Sequence, residues 1–532
     1  MRTSIIQSNQ KLNMDRTITP EDDDGKVRNL EVQSVLSETD HHTGVKRALQ
    51  GRHISMMALA GIIGPGLLIG AGTALANGGP AALIIGFGLI GTLAYSIMQC
   101  LGEMTTLYPD RGSFLGLTSR FVNKPFAAVI GWNYFVVWVA VLANEYNVIS
   151  SVMETWSDKV PLYGYFLLFW VFFLGFQMLG VRTYGEAEFW LALLKIIGLV
   201  AFFFFSIIYV SGGVKGVPAF GFRYWNNPGS FADGFGGVAK VFVFCSTFYS
   251  GTESVCLAAT ETRNPGRAIP VAIRQVVYRI LVIYMGIALC YGITVPFNDP
   301  ALRGGHAKAL QSPMSIAIRN AGWAGGYNLI NAFILLTCLS AINSSIYIGS
   351  RTVLFLAHER CAPKFMTYTN KRGVPVYAII FTNLFGFLAL MNIGTGAVAA
   401  YGYIINLSGV SLFIVWGGLA VVHFRFREAL KFHNFTELPY KFRLYPWNTW
   451  YSLLLNFFLA LVQGWTTLAP FSAGDFVDAY ILLPVSGLVY IVYAFFNKQW
   501  KWRPFEDIDI AAGRRADFDT EVRAKKWYRA AI

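Results

Sequence analysis

Runs of about 20 mostly apolar residues, the length a helix needs to cross the hydrocarbon of a bilayer, recur along nearly the whole chain, from near Met56 to near Phe496. About twelve such spans are expected, at roughly 56–76, 81–106, 125–153, 161–180, 186–210, 238–258, 272–296, 326–356, 375–392, 399–423, 449–469 and 477–496. With 55% hydrophobic and 14% charged residues among 532, there is too little polar surface for a soluble domain of this size. The expected fold class is an all-α membrane protein. Between the seventh and eighth spans, Ser312 to Asn320 is helical in pattern but too short to cross, and is expected as an amphipathic helix on the outer face.

Charge sets the orientation. Residues 1 to about 50 are polar, with an acidic run from Glu21 to Asp24 and no apolar core, and are expected to be a disordered tail; no cleavable signal peptide is expected. With that tail in the cytosol, the inner loops carry dense clusters such as Arg351, Arg360, Lys364, Lys371 and Arg372, or Arg425, Arg427, Lys431, Lys441 and Arg443. The outer loops hold only scattered cations such as Lys159, Lys215 and Arg303. This is the positive-inside asymmetry, and it places both termini in the cytosol. Topology therefore accounts for the net charge of +13, and nucleic acid is not expected as a partner, since no basic cluster interleaves with aromatics on a soluble segment. The six cysteines lack the paired spacing of a zinc site and lie mostly in apolar runs, so no metal is expected. The organisation read from these features is a tail over 1–50, a membrane domain over 51–497 and a cytosolic tail over 498–532. The tails are the expected sites for ubiquitin and trafficking machinery.

The first span holds Gly64-Pro65-Gly66 near its middle, and a proline between glycines cannot continue a regular helix. A broken backbone is tolerated in hydrocarbon only where its freed groups are buried in protein or face a wet cavity. Taken alone, the pattern fits a kink or a Gly-x-x-x-Gly packing groove equally well. The sixth span favours a break, because Tyr249-Ser250-Gly251-Thr252-Glu253-Ser254 sets a glycine and an acid in mid-run. Interrupted segments five spans apart point to inverted five-helix repeats, over about 56–210 and 238–423, with a midplane site. There one half-helix N-terminus offers N–H donors to a carboxylate and opposed carbonyls accept from an ammonium. Such a site suits an α-amino acid.

Several motifs occur in order: Arg52-His53 before the first span, Gly102-Glu103-Met104 closing the second, and Gly185-Glu186-Ala-Glu188-Phe189-Trp190 opening the fifth. Later come Ser250-Gly251-Thr252-Glu253, Glu261-Thr-Arg-Asn264-Pro265, Val295-Pro-Phe-Asn298-Asp299-Pro300, Ala341-Ile-Asn343-Ser344 and Asp507-Ile-Asp509. Through these, residues of about 50–530 resemble the fungal amino-acid permeases of the amino acid–polyamine–organocation superfamily. The resemblance implies a LeuT-like fold of two inverted repeats plus two extra helices at about 449–496, and proton-driven uptake of amino acids at the plasma membrane. One departure is Pro65, where the family usually has Thr or Ser. Proline has no N–H, which leaves Gly66 and Leu67 to meet a substrate carboxylate.

The expected substrate site comprises Ile63, Gly64, Pro65, Gly66 and Leu67 of the first span and Thr247, Phe248, Tyr249, Ser250 and Gly251 of the sixth. Ionisable residues in mid-span are functional candidates because placing one there is costly. Glu145, with Asn144, either faces the cavity or locks helices together by an interhelical hydrogen bond. Lys195 looks like the basic residue that stands near a cation site of sodium-coupled relatives, or it snorkels to the inner interface. Glu253 looks like the family's acid after the break, or it caps freed backbone N–H groups. Asn343, Ser344 and Ser345 either line the cavity or bond between helices. Lys195, Glu253 and Glu145 are the expected proton-coupling set.

No Walker-type loop, nucleophile elbow or zinc-protease motif is present, so no enzyme is expected. No cofactor is needed beyond the proton gradient. Two functions remain, a permease importing broad-range or basic amino acids and an amino-acid receptor on the same fold that signals with little net transport.

Overall fold

In the computed structural model of the protein, the described residues run from 49 to 514, except 58, 60–62, 65, 110–112, 259–264, 304–311, 394–396, 436 and 469. The N-terminal tail up to residue 48, Pro65, the Glu261–Asn264 stretch and the tail from residue 515 thus lie outside them. No strand occurs among the described residues.

The polypeptide begins with α1 (Gly51–Met56), is irregular at Ile63 and Gly64, and resumes as a wide π-type turn, Gly66–Gly70, that leads into α2 (Ala71–Leu107). The runs at 56–76 and 81–106 thus share one helical stretch, in which only Gly79 departs from helical geometry, at φ 85° and ψ 173°. Glycine adopts that conformation without strain, and Pro80 beside it has no N–H to give the preceding turn. The kink therefore takes a single residue, within the gap at 77–80 between the two expected spans.

After α3 (Ser113–Phe121), the side chain of Asn123 accepts from Phe126 N–H at 2.9 Å and starts α4 (Lys124–Trp156). There follow α5 (Leu162–Gln177), α6 (Val181–Val210), α7 (Arg223–Asn226), and α8 (Gly234–Tyr249), which breaks before α9 (Ser254–Ala258). Next come α10 (Pro265–Tyr278), a π-type segment Arg279–Tyr284 and α11 (Met285–Thr294). The short helix read at Ser312–Asn320 is α12 (Pro313–Asn320), capped by Ser312, whose hydroxyl accepts from Met314 N–H at 3.2 Å. The rest is α13 (Ala324–His358), α14 (Val376–Leu384), α15 (Ala397–Phe432), α16 (Trp447–Val462), α17 (Ala473–Tyr480) and α18 (Leu482–Asn497).

Among the described residues, six helices are each long and apolar enough to cross a membrane, and α17 with α18 passes as a pair bent by 45°. The shortfall from about twelve has local causes: the first two runs are continuous through the Gly79 kink, the sixth is split at its break, α5 and α16 have 16 residues each, and the ninth forms only the nine residues of α14 before a 3-10 stretch. Burial is the reverse of a soluble protein's. The most apolar of the six helices, α6, has only 28% of its apolar stretch buried, whereas α4, which carries Asn144 and Glu145, has 78%. Apolar residues on the outside and polar ones within are what a hydrocarbon solvent selects.

The cytosol-assigned ends are tied together by buried polar contacts. Glu103, fully buried at the end of α2, accepts from Arg427 Nη2 at 3.1 Å and Phe442 N–H at 2.6 Å, and His423 Nε2 lies 2.8 Å away. Downstream of α18, Arg503 N–H donates to Val122 O, Tyr108 OH to Ile510 O and Arg120 Nη1 to Ala512 O, each at 2.8 Å, with Ile508 fully buried. Removing one partner of a buried charge pair costs about 3–5 kcal/mol. Glu103→Ala is therefore expected to lower the thermal midpoint of the detergent-purified protein and its surface level, with Glu103→Gln intermediate. A melting curve unchanged by Glu103→Ala would mean that this cluster holds nothing together.

Candidate substrate-binding site

α8 ends because Ser250 leaves helical geometry, at φ −54° and ψ 142°, and Gly251 follows at φ +89°, a conformation other residues adopt only with strain. The Gly251 N–H released there donates to Glu253 Oε1 at 2.9 Å, and the Trp416 indole donates to Glu253 Oε2 at 3.2 Å. Glu253 thus acts as a cap on the break, holding it from inside the protein.

The break in the first span is packed against it and against α4. A Cβ on Gly66 would fall 2.9 Å from the Phe248 ring, and one on Gly64 would fall 2.9 Å from Glu145 Oε1 and 3.2 Å from the Ala341 side chain. Glycine at both positions lets a carboxylate and an aromatic ring lie directly on the backbone.

A small cavity of about 40 Å³ lies where these elements meet. Of the residues expected to bind substrate, Ile63, Gly64, Gly66, Leu67, Asn144, Glu145, Thr247, Phe248, Ser250 and Ser344 line it. Asn144 Oδ1 and Glu145 Oε2 are buried acceptors with no hydrogen-bond partner among the described residues. Buried polar atoms of that kind call for a donor.

Three expected residues are not in the lining. The Tyr249 hydroxyl donates to Phe87 O at 2.9 Å, Gly251 serves the break itself, and Asn343 accepts from Gln177 Nε2 at 2.9 Å. Pro65 lies outside the described residues.

Lys195 stands outside the lining as well, 1% exposed, with its ammonium 3.9 Å from Glu188 Oε1; Ser340 donates a hydroxyl to the same carboxylate oxygen. It is buried in the protein rather than turned to the interface. Burial acts on it most strongly, and of the charged groups Glu188 comes first and Glu145 next. The sequence motif contained Glu188, but the site reading left it out; the available signal was its spacing of seven from Lys195, which puts both on one face of α6. Ser345, read with Asn343 and Ser344 as a residue that could line the cavity, does so; Trp138, Val141, Ala341 and Ile405 complete the lining and carry no sequence signal beyond neighbouring the named positions or apolarity. Before the first span, Arg52 pairs with Glu186 at 2.5 Å and His53 Nε2 lies 3.2 Å from it. Burial holds the His53 imidazole below its usual value even though Glu186 opposes the shift.

A sequence profile of the amino acid permease family matches residues 53–503 of this chain. The chain belongs to that family. It is similar to the general amino acid permease AGP3 of Saccharomyces cerevisiae, with 55% identity across 92% of this chain and 88% of that one. An uncharacterized amino-acid permease of Schizosaccharomyces pombe is 47% identical, across 91% and 89%. The basic amino-acid permease of Saccharomyces cerevisiae is 36% identical, across 94% and 90%. Membership makes this an integral membrane protein and a permease-type protein rather than an enzyme. Among the described residues no group of three or more His, Cys, Asp or Glu side chains could hold a metal ion.

Proposed function

We propose that this family member is a secondary active transporter that imports L-amino acids across the plasma membrane by proton symport, its cavity opening alternately to either side. The observation that carries the reading is the lining itself, where two helix breaks meet and Glu145 and Asn144 present acceptors with no partner among the described residues. The Gly66 and Leu67 N–H groups, at the start of the resumed first span, suit an α-carboxylate. Glu145 and Asn144 suit the ammonium. The arrangement adopted for transport is twelve spans, two inverted five-helix repeats plus two C-terminal helices, with both termini in the cytosol. Lys195, Glu145 and Glu253 form the coupling set, with Glu188 as the counter-charge of Lys195. The 55% relative's name as a general permease supports a broad substrate range over a basic one.

Uptake of a labelled amino-acid panel into cells lacking their own permeases tests this, with external pH and a protonophore as variables. Accumulation against the gradient, rising as the outside is acidified and lost with the protonophore, is the expected result. Protonophore-insensitive accumulation or a sodium requirement overturns proton symport. Binding without accumulation would favour a receptor.

A further inference from the structure

Part of what shapes the sixth-span break comes from another helix. The last carbonyls of a helix lack intrahelical partners, and three in α8 find local ones. Ser246 O accepts from Ser250 N–H at 3.0 Å, Thr247 O from the Ser250 hydroxyl at 2.6 Å, and Tyr249 O from the Thr252 hydroxyl at 2.6 Å. Phe248 O instead accepts from the Tyr284 hydroxyl at 2.7 Å, on the helix that runs through α10 and α11.

Tyr284 is itself held. Arg279 Nε donates to its oxygen at 3.0 Å, and a second guanidinium N–H does the same. The guanidinium is 1% exposed, and the tyrosine ring lies 5.6 Å from Phe87 and 4.3 Å from Tyr249 between centroids. A cation inside an apolar span is a functional candidate with its partner named. Five residues separate the two, which in a regular α-helix turns them about 140° apart. They share a face here because Arg279–Tyr284 is wound as a π-type segment, with Met285 N–H bonded to Ile280 O. Such segments recur at functional sites.

We propose that Arg279 and Tyr284 are positioning residues for the substrate clamp. The Tyr284 hydroxyl, oriented by Arg279, fixes the Phe248 carbonyl and thereby seats the Phe248 ring against Gly66 at the wall of the cavity. Arg279 also sets a positive charge near the negative end of α8. The inference rests on reading that cavity as the substrate site.

Tyr284→Phe removes one hydroxyl and keeps the ring packed between Phe87 and Tyr249. Leaving Phe248 O unsatisfied is expected to raise the KM for uptake roughly tenfold, with Vmax per surface molecule unchanged. In a Phe248→Ala background the same change should add nothing, because the hydroxyl acts through Phe248; a role in general packing would add its effect in both backgrounds. Should Tyr284→Phe fail to reach the surface, Arg279→Lys, which keeps the charge and loses the fork, carries the same expectation. A normal KM in the surface-expressed variant, or additive effects with Phe248→Ala, overturns the proposal. Normal uptake by Gly66→Leu would instead remove the clamp, and with it the reading of the cavity.

Discussion

Gly66→Leu and Gly251→Leu are each expected to reach the cell surface and to lose amino-acid uptake. At Gly66 the first side-chain carbon already falls 2.9 Å from the Phe248 ring, and the rest of a leucine would occupy the cavity itself. Forcing extra carbons into a filled site costs about 1–3 kcal/mol, which as lost affinity is roughly 5-fold to 100-fold. At Gly251 the damage begins in the backbone. Its φ of +89° costs a leucine about 1–2 kcal/mol, and any relaxation would pull its N–H from Glu253 Oε1. The break would be lost along with its cap. The measurement is labelled uptake normalised to surface protein, with Gly402→Leu as a control, since a Cβ there meets nothing within 4 Å. Wild-type affinity in both clamp variants would move the substrate site away from these two breaks.

Those glycines were legible in the sequence because glycine and proline in mid-span have few explanations. Gly64, Gly66 and Gly251 each stand where a Cβ would clash or where φ is positive. Glu145 was legible for a related reason, since an acid among apolar neighbours must face something polar. What sits behind the lining was harder to read. Asn343 lies two residues, about 200° of helix, from the lining residues Ala341 and Ser345, and its side-chain oxygen accepts from Gln177 Nε2; no local pattern reveals a partner 166 residues away. Nothing around Glu253 in the chain announces the Trp416 indole, which reaches its second oxygen from α15. The Arg279–Tyr284 pair was invisible because helical periodicity assumes a regular winding, and the π-type segment that joins them breaks that assumption. The gap between the first two expected spans, at 77–80, falls on the Gly79 kink, where a single residue turns the chain.

Lys195→Met is expected to abolish concentrative uptake, and the pairing with Glu188 dictates how that result must be obtained. Removing the ammonium alone leaves Glu188 buried, 1% exposed, with its counter-charge gone. Breaking a buried pair in this way destabilises by about 3–5 kcal/mol, enough to deplete the surface by itself. Loss of uptake in the single variant therefore says little about coupling. The informative protein is Lys195→Met with Glu188→Gln, which removes both charges, keeps an acceptor for the Ser340 hydroxyl and avoids a stranded carboxylate. Replacing both partners is often close to neutral for stability, so this double variant is expected at near wild-type surface levels. Its transport then separates two roles. If the pair only steadies the face of the fifth span, where Glu188 is also bonded by Ser340 of the eighth, a neutral pair serves equally well and concentrative, protonophore-sensitive uptake returns. If Lys195 and the two carboxylates around it carry the coupling charge, the double variant should bind and exchange amino acid but no longer accumulate it. Counterflow in vesicles measures exchange, and uptake with and without a protonophore measures accumulation. Restored accumulation in the double variant would remove Lys195 from the coupling set and leave Glu145, which lines the cavity with no partner for Oε2 among the described residues, as the group to test next.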